Sequence, residues 1–335
     1  MRPAKEQGSL PEAVDPVRCT AAVFSGPKEI RTTSVSVPAP GPGQVRVKLE
    51  GCGVCGSNLP VWEGRPWFDY PLPAGAPGHE GWGRVEAVGG GVEHPSVGTR
   101  VAVLSHHAYA EYDLVDACAA IPLPAILDGQ PFPGEPLACA MNVFQRSGIK
   151  PGTTVAVVGI GFLGALLVSL AVKAGARVIA LSRRRYALDV ARRLGAMETP
   201  SSDDVRGAVK RVKALTNDVG CDCVLEVAGE QSTLDLATEL TRIRGRLVIA
   251  GYHQDGPRTV NMQLWNWRGL DVINAHERDP QQYVDGLRAA IAAAATGRID
   301  PAPLYTHRFA LEELPRAFEL MRSRPKGFLK ALVLP

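Results

Sequence analysis

Apolar and polar positions along the chain fall into two textures. Between residues 20 and 125, short β-branched runs are separated by glycine and proline. Examples are 44–49 (QVRVKL), 83–88 (GRVEAV) and 99–104 (TRVAVL). Runs of this length bounded by turn residues predict an all-β region. From about residue 137 the order becomes apolar strand, glycine turn and helical stretch, repeated several times. Strands are predicted over 153–158, 177–181, 221–227 and 246–250, with helices between them, which implies parallel βαβ units. An alanine-rich helix is predicted over 287–296. The tail, 301–335, returns to short strands around one amphipathic helix near 311–321.

The stretch 155–172 (VAVVGIGFLGALLVSLAV) has no charge and imitates a membrane span. Glycines at 159, 161 and 164 interrupt it, so a buried strand followed by a buried helix explains the same run. At 335 residues the chain is long enough for two domains. Its 45% apolar and 21% charged residues are those of an ordinary globular protein, and a net charge of +3 argues for neither nucleic acid nor a membrane surface. Seven scattered cysteines do not form a disulfide framework. Residues 1–16 contain no apolar run, so no signal peptide is expected and a reducing cytoplasm is the default.

Gly159-Ile-Gly161-Phe162-Leu163-Gly164 follows a predicted strand and opens a predicted helix. In that context G-x-G-x-x-G is a dinucleotide cradle: a tight turn, a close backbone approach to pyrophosphate, and a helix–strand contact. The helix N-terminus adds free N–H donors. Glycines serving only helix–sheet packing are the bland alternative. The second strand ends in Ser182-Arg183-Arg184-Arg185, where an NAD site would carry Asp or Glu for the ribose 2′-hydroxyl. Guanidinium groups suit a 2′-phosphate, so NADP(H) is favoured over NAD(H), against the alternative of a solvated charge run. Ala228 and Gly251, after the next two strands, are the remaining cofactor candidates.

Candidate metal chemistry lies in 51–60 (GCGVCGSNLP), in Gly78-His79-Glu80-Gly81 and in Glu135-Pro-Leu-Ala-Cys139. Cys52 and Cys55 read as a redox pair, half a zinc knuckle, or one working thiolate beside a bystander. A thiolate, an imidazole and a carboxylate meeting at one point would suit zinc. Separately, Cys55 reads as a core thiol, His79 as a satisfied histidine and Glu135 as a helix-start carboxylate.

GCGVCGSN, PGHEGWG, EPLACA and VAVVGIGFLG, in that order over essentially the whole chain, resemble the medium-chain zinc-dependent alcohol dehydrogenase superfamily. The EPL variant resembles its polyol (sorbitol-type) dehydrogenase branch. The resemblance implies a GroES-like β-rich catalytic domain over 1–137, a doubly wound parallel Rossmann sheet over 138–277, and a return to the catalytic domain over 278–335. It implies one catalytic zinc at Cys55, His79 and Glu135, with Glu80 as an alternate or water-bridged ligand, Cys139 as a lesser competitor and Cys52 as a bystander. Ser57 takes the place of the family's proton-passing hydroxyl. Only Cys118 falls where a structural zinc would need four cysteines, so none is expected. Relatives are homodimers or homotetramers acting on small-molecule alcohols or carbonyls.

Two departures stand out. Asn58 occupies the place of an aspartate that orients the zinc-bound imidazole, and Pro60 the place of a proton-relay histidine. They leave room for a reductase of activated alkenes on the same fold, or for a non-catalytic dinucleotide-binding protein. Aromatic residues at Trp62, Trp67, Phe68, Tyr70, Trp265 and Trp267 either line an apolar cleft or serve packing. His253 is a candidate at the nicotinamide end.

Overall fold

The computed structural model describes residues 15–335; the N-terminal reading for a signal peptide falls mainly outside them. Antiparallel strands Gln44–Gly53, Gly81–Val88 and Arg100–Val103 form the middle of a seven-stranded sheet. Alternation sets the buried face: in Gly81–Val88, Val85 and Ala87 are buried while Arg84 and Glu86 point out. Ala120–Pro122 lies on one edge, and Ala331–Leu334 and His307–Ala310 on the other. The C-terminal return is therefore a continuation of the first sheet, with Val333 paired to Cys52. Strands Val17–Gly26 and Glu29–Val37 make a separate hairpin.

Five parallel strands form the second sheet, in the order Asp271–Asn274, Thr241–Ile249, Cys221–Glu226, Thr154–Val158 and Arg177–Leu181. Beyond the Arg177–Leu181 edge, the described residues form isolated bridges, Ile179 to Glu198 and Ser182 to Ser201. Thr154–Val158 is buried throughout, as expected for a strand covered by helices on both faces. The next helix, Phe162–Lys173, is almost wholly buried. This explains the span-like hydropathy of 155–172: among the described residues no helix is long and apolar enough to cross a membrane.

The helix Gly134–Ser147 runs through the expected domain boundary at 137/138. It packs along the helix Pro280–Ala295, which is longer than the alanine-rich run suggested, because Asp279 caps it by accepting from the Gln281 N–H (2.9 Å) and Pro280 begins it. Asn142 Nδ2 donates to the Gln282 carbonyl (3.1 Å) where the two helices meet.

Candidate active site

Pairing of Cys52 with Gly81 sets the end of strand Gln44–Gly53 beside the start of Gly81–Val88. Cys55 follows the first strand end and His79-Glu80 precede the second. As a result Cys55, His79 and Glu80 each bring one ligand atom within 4.8 Å of the other two. Glu135 stands outside this triad. It lies in the first turn of Gly134–Ser147, and Cys139, one turn on, donates its Sγ–H to Glu135 Oε1 (3.2 Å). Its charge still reaches His79. The structure thus brings Glu80, which the resemblance implied as the alternate ligand, into one group with the cysteine and histidine. Cys52 faces the core, and burial pushes its thiol well up.

The donor set fits zinc in chemistry, and its electrostatics call for a cation. Burial alone would lower the His79 pKa, yet Cys55, Glu135 and Glu80 raise it to about 10. His79 Nδ1–H donates to the Pro77 carbonyl (3.0 Å), which leaves Nε2 for an ion. Asn58 Nδ2 lies farther from the same nitrogen (3.5 Å) and is itself a donor. Asn58 is buried, and its Oδ1 accepts from Tyr109 Oη–H (3.0 Å). A backbone carbonyl therefore orients the imidazole where the family uses a carboxylate. Ser57 Oγ–H points at Cys55 Sγ (3.2 Å), at the edge of the same cluster.

Lys330, not anticipated from the sequence, completes the cluster. It comes from the segment leading into the last strand and is 4% exposed. Its Nζ donates to Glu80 Oε1 (2.6 Å) and to the Val54 carbonyl (3.1 Å). Burial works against its charge, but Glu80 and then Cys55 and Glu135 outweigh it and raise its pKa. Glu80 Oε2 lies as near the ammonium (2.5 Å) but has no hydrogen-bond partner of its own. Nζ also sits 5.0 Å from the centroid of the Phe162 ring, in the glycine loop.

That loop has the geometry of a phosphate cradle. Gly159 has φ +102°, a conformation suited to glycine. A Cβ on Gly164 would lie 2.1 Å from the Gly159 carbonyl, whereas one on Gly161 would meet nothing within 4 Å. The third glycine thus permits helix–strand contact and the second faces open space at the N-terminus of Phe162–Lys173. Phe162 is buried, stacked on Tyr305 (5.8 Å between centroids), and Leu163 is half-buried. Ala228 N–H and Gly229 N–H donate to Glu226 Oε1 (2.9 and 2.8 Å), and Gly251 N–H to the Glu226 carbonyl (2.8 Å). Buried Glu226 thereby fixes both loops at the carboxyl ends of their strands. A carboxylate at the end of an apolar run was the only sequence signal for it.

The basic run divides by role. Ser182 is buried and its Oγ accepts from the Arg184 N–H (3.2 Å). Arg183 is exposed and forked onto Glu230. Arg184 donates to the Phe328 and Ile160 carbonyls (2.8 and 3.0 Å), so its fork is occupied by backbone. His253 donates Nε2–H to Glu226 Oε2 (2.9 Å) and accepts from Arg258 Nε (2.8 Å), which makes it a loop clamp. Trp62 is buried and stacked on Phe318 (5.8 Å), hence core. Trp265 is half-buried and Trp267 is 83% exposed.

Comparisons with known proteins agree with this architecture. Residues 41–125 match the family model for the alcohol dehydrogenase GroES-like domain, and 163–292 that for zinc-binding dehydrogenase. The chain is similar to D-arabinitol dehydrogenase 1 of Uromyces fabae (26% identity over 92% of this chain and 95% of that protein). It is similar to sorbitol dehydrogenase of Bacillus subtilis (26%, 96% and 98%). Among solved structures it resembles a zinc-binding dehydrogenase of Sinorhizobium meliloti bound to NADP, with TM-score 0.81, 29% identity, and 95% and 100% of the two chains covered. The chain belongs to the zinc-type medium-chain alcohol dehydrogenase superfamily, on its polyol-dehydrogenase-like side.

Proposed function

We propose that the protein is an NADP(H)-preferring dehydrogenase that interconverts an alcohol or polyol with its ketone or aldehyde, and that it holds one catalytic zinc. The observation that carries this reading is the placement of Lys330, which touches Glu80 of the donor set and the Phe162 ring of the glycine loop. Metal donors and cofactor cradle thus share one crevice, as hydride transfer between substrate and nicotinamide demands. Bound at these residues, zinc would supply Lewis acidity toward the substrate oxygen and the nicotinamide a hydride acceptor or donor.

Cys55, His79 and Glu80 are the residues to hold the ion, with Glu135 behind them. Ser57 would pass the substrate's hydroxyl proton on in oxidation, accepting it while handing its own hydroxyl proton outward, and would run the same exchange in reverse in reduction. Pro60 cannot relay it further, so the proton leaves through water or the cofactor ribose. Gly159, Gly161, Phe162, Leu163, Gly164, Ala228 and Gly251 line the dinucleotide path, and Ser182, Arg183 and Arg184 form its ribose end. A homodimer or homotetramer in the cytoplasm completes the proposal.

The test is elemental analysis of the purified protein, followed by NADPH and NADH oxidation with aldehydes, ketones, ketoses and enones. About one zinc per chain and NADPH-dependent reduction of a ketone or ketose are expected. A metal-free protein that reduces only enones would replace this reading with the alkene reductase.

A further inference from the structure

The ribose end of the crevice carries more positive charge than its partners balance. Arg183 Nη2 donates to both oxygens of Glu230, each at 3.0 Å. Arg184 spends its fork on the Phe328 and Ile160 carbonyls and has no carboxylate partner among the described residues. Its bond to Phe328 draws the segment after the helix Leu314–Ser323 against the dinucleotide lobe. That helix ends at Arg324, whose φ of +46° is left-handed, a place where glycine is usual. Arg324 Nε reaches the Met321 carbonyl at 3.4 Å. Arg324 lies within electrostatic reach of both Arg184 and Arg183. Burial and then Arg324 push the Arg184 pKa down to about 10. Burial of its guanidinium is the main cause that lowers that of Arg324, with Glu230 opposing and Arg183 and Arg322 adding smaller pushes. One carboxylate among three arginines leaves two positive charges unmatched, and a phosphate monoester carries close to two negative ones at neutral pH.

We propose that the ribose 2′-phosphate is gripped across the junction of the lobes, by Arg183 from the dinucleotide sheet and Arg324 from the C-terminal return, and that it competes with Glu230 for the Arg183 fork. This rests on the NADP(H) reading and names the residues that set it. Arginine at a left-handed helix end serves the ligand; glycine would serve the backbone better. Glu230 in turn raises the selectivity threshold, because an anion must bind more strongly than a carboxylate already forked onto Arg183.

The test is calorimetric titration of the full chain with adenosine 2′,5′-bisphosphate and with 5′-AMP. Wild type should prefer the bisphosphate. Arg324→Gly should weaken the bisphosphate about tenfold, as loss of one charge-assisted contact implies, and leave 5′-AMP within about twofold. Its melting temperature should not fall, since the backbone strain is relieved. Glu230→Gln should tighten the bisphosphate. A wild-type preference that Arg324→Gly leaves intact overturns the Arg324 assignment while sparing the NADP(H) reading. Weaker bisphosphate binding by Glu230→Gln overturns the competition. Absence of any preference in wild type overturns the NADP(H) reading and the inference with it.

Discussion

Lys330 and Glu80 form a fully buried ion pair that ties the last strand to the metal donor set, with Nζ 2.6 Å from Oε1. Removing one member of a buried pair leaves the other charge without compensation. Lys330→Met is expected to destabilise the protein by about 3–5 kcal/mol. Adding Glu80→Gln to Lys330→Met should recover part of that loss. Urea denaturation of the two singles and the double gives the coupling, and additive effects would count against a direct pair.

Cys55 is the thiol in the triad. Cys55→Ala is expected to lose zinc and turnover while the fold survives, since Cys55 is only half-buried. Glu135→Gln should keep most of the metal, because Glu135 lies outside the 4.8 Å set. Elemental analysis of both variants decides; zinc retained in Cys55→Ala would refute the assignment. Asn58→Asp, which restores a carboxylate beside His79, should tighten zinc by up to about tenfold.

The glycine loop separates stability from binding. A Cβ at Gly161 meets open space, so Gly161→Ala should melt within about 2 °C of wild type, as a neutral substitution does, yet weaken NADPH by blocking the approach of pyrophosphate. Gly164→Ala forces a Cβ to 2.1 Å from the Gly159 carbonyl and should lower both stability and affinity. Thermal melts and fluorescence titration check the pair.

Asp222 yields a pH prediction. Burial would raise its pKa, but the Thr154 N–H and Arg242 Nε (both 2.7 Å) outweigh burial and hold it below the usual carboxylate value. A depressed folded pKa contributes stability that is present above the unfolded value of about 3.9 and disappears as pH falls through the folded one. Asp222→Asn should therefore be less stable at pH 7 by about 1 kcal/mol, allowing for partial exposure, and the gap should close below about pH 4. A gap independent of pH would show that the charge contributes nothing.

Much of the architecture could be read from local pattern. Periodicity located 177–181 to the residue and 153–158 and 221–227 to within one position, because buried parallel strands are short unbroken apolar runs; it caught only the second half of Thr241–Ile249 and missed the half-exposed edge strand Asp271–Asn274. The glycine loop was readable because each glycine answers to a separate steric demand. Contacts between distant segments left no such mark. Lys330 and Glu80 are 250 positions apart and meet only through the sheet closure. Arg184 looked like a free cation because nothing local reveals that two carbonyls, one from the far end of the chain, would occupy it. Cys221 and Cys223 lie in separate apolar clusters on the two sides of their strand, although strict alternation would place them together; the register slips between them.

Among the described residues, the chain passes between its five- and seven-stranded sheets only near the helices Gly134–Ser147 and Pro280–Ala295, which lie against each other. Two crossings side by side define an axle. Rotation about it would change the crevice least next to those helices and most at the far rim, so a substrate's size would be gauged at the outer lip, by how far the two halves can swing shut.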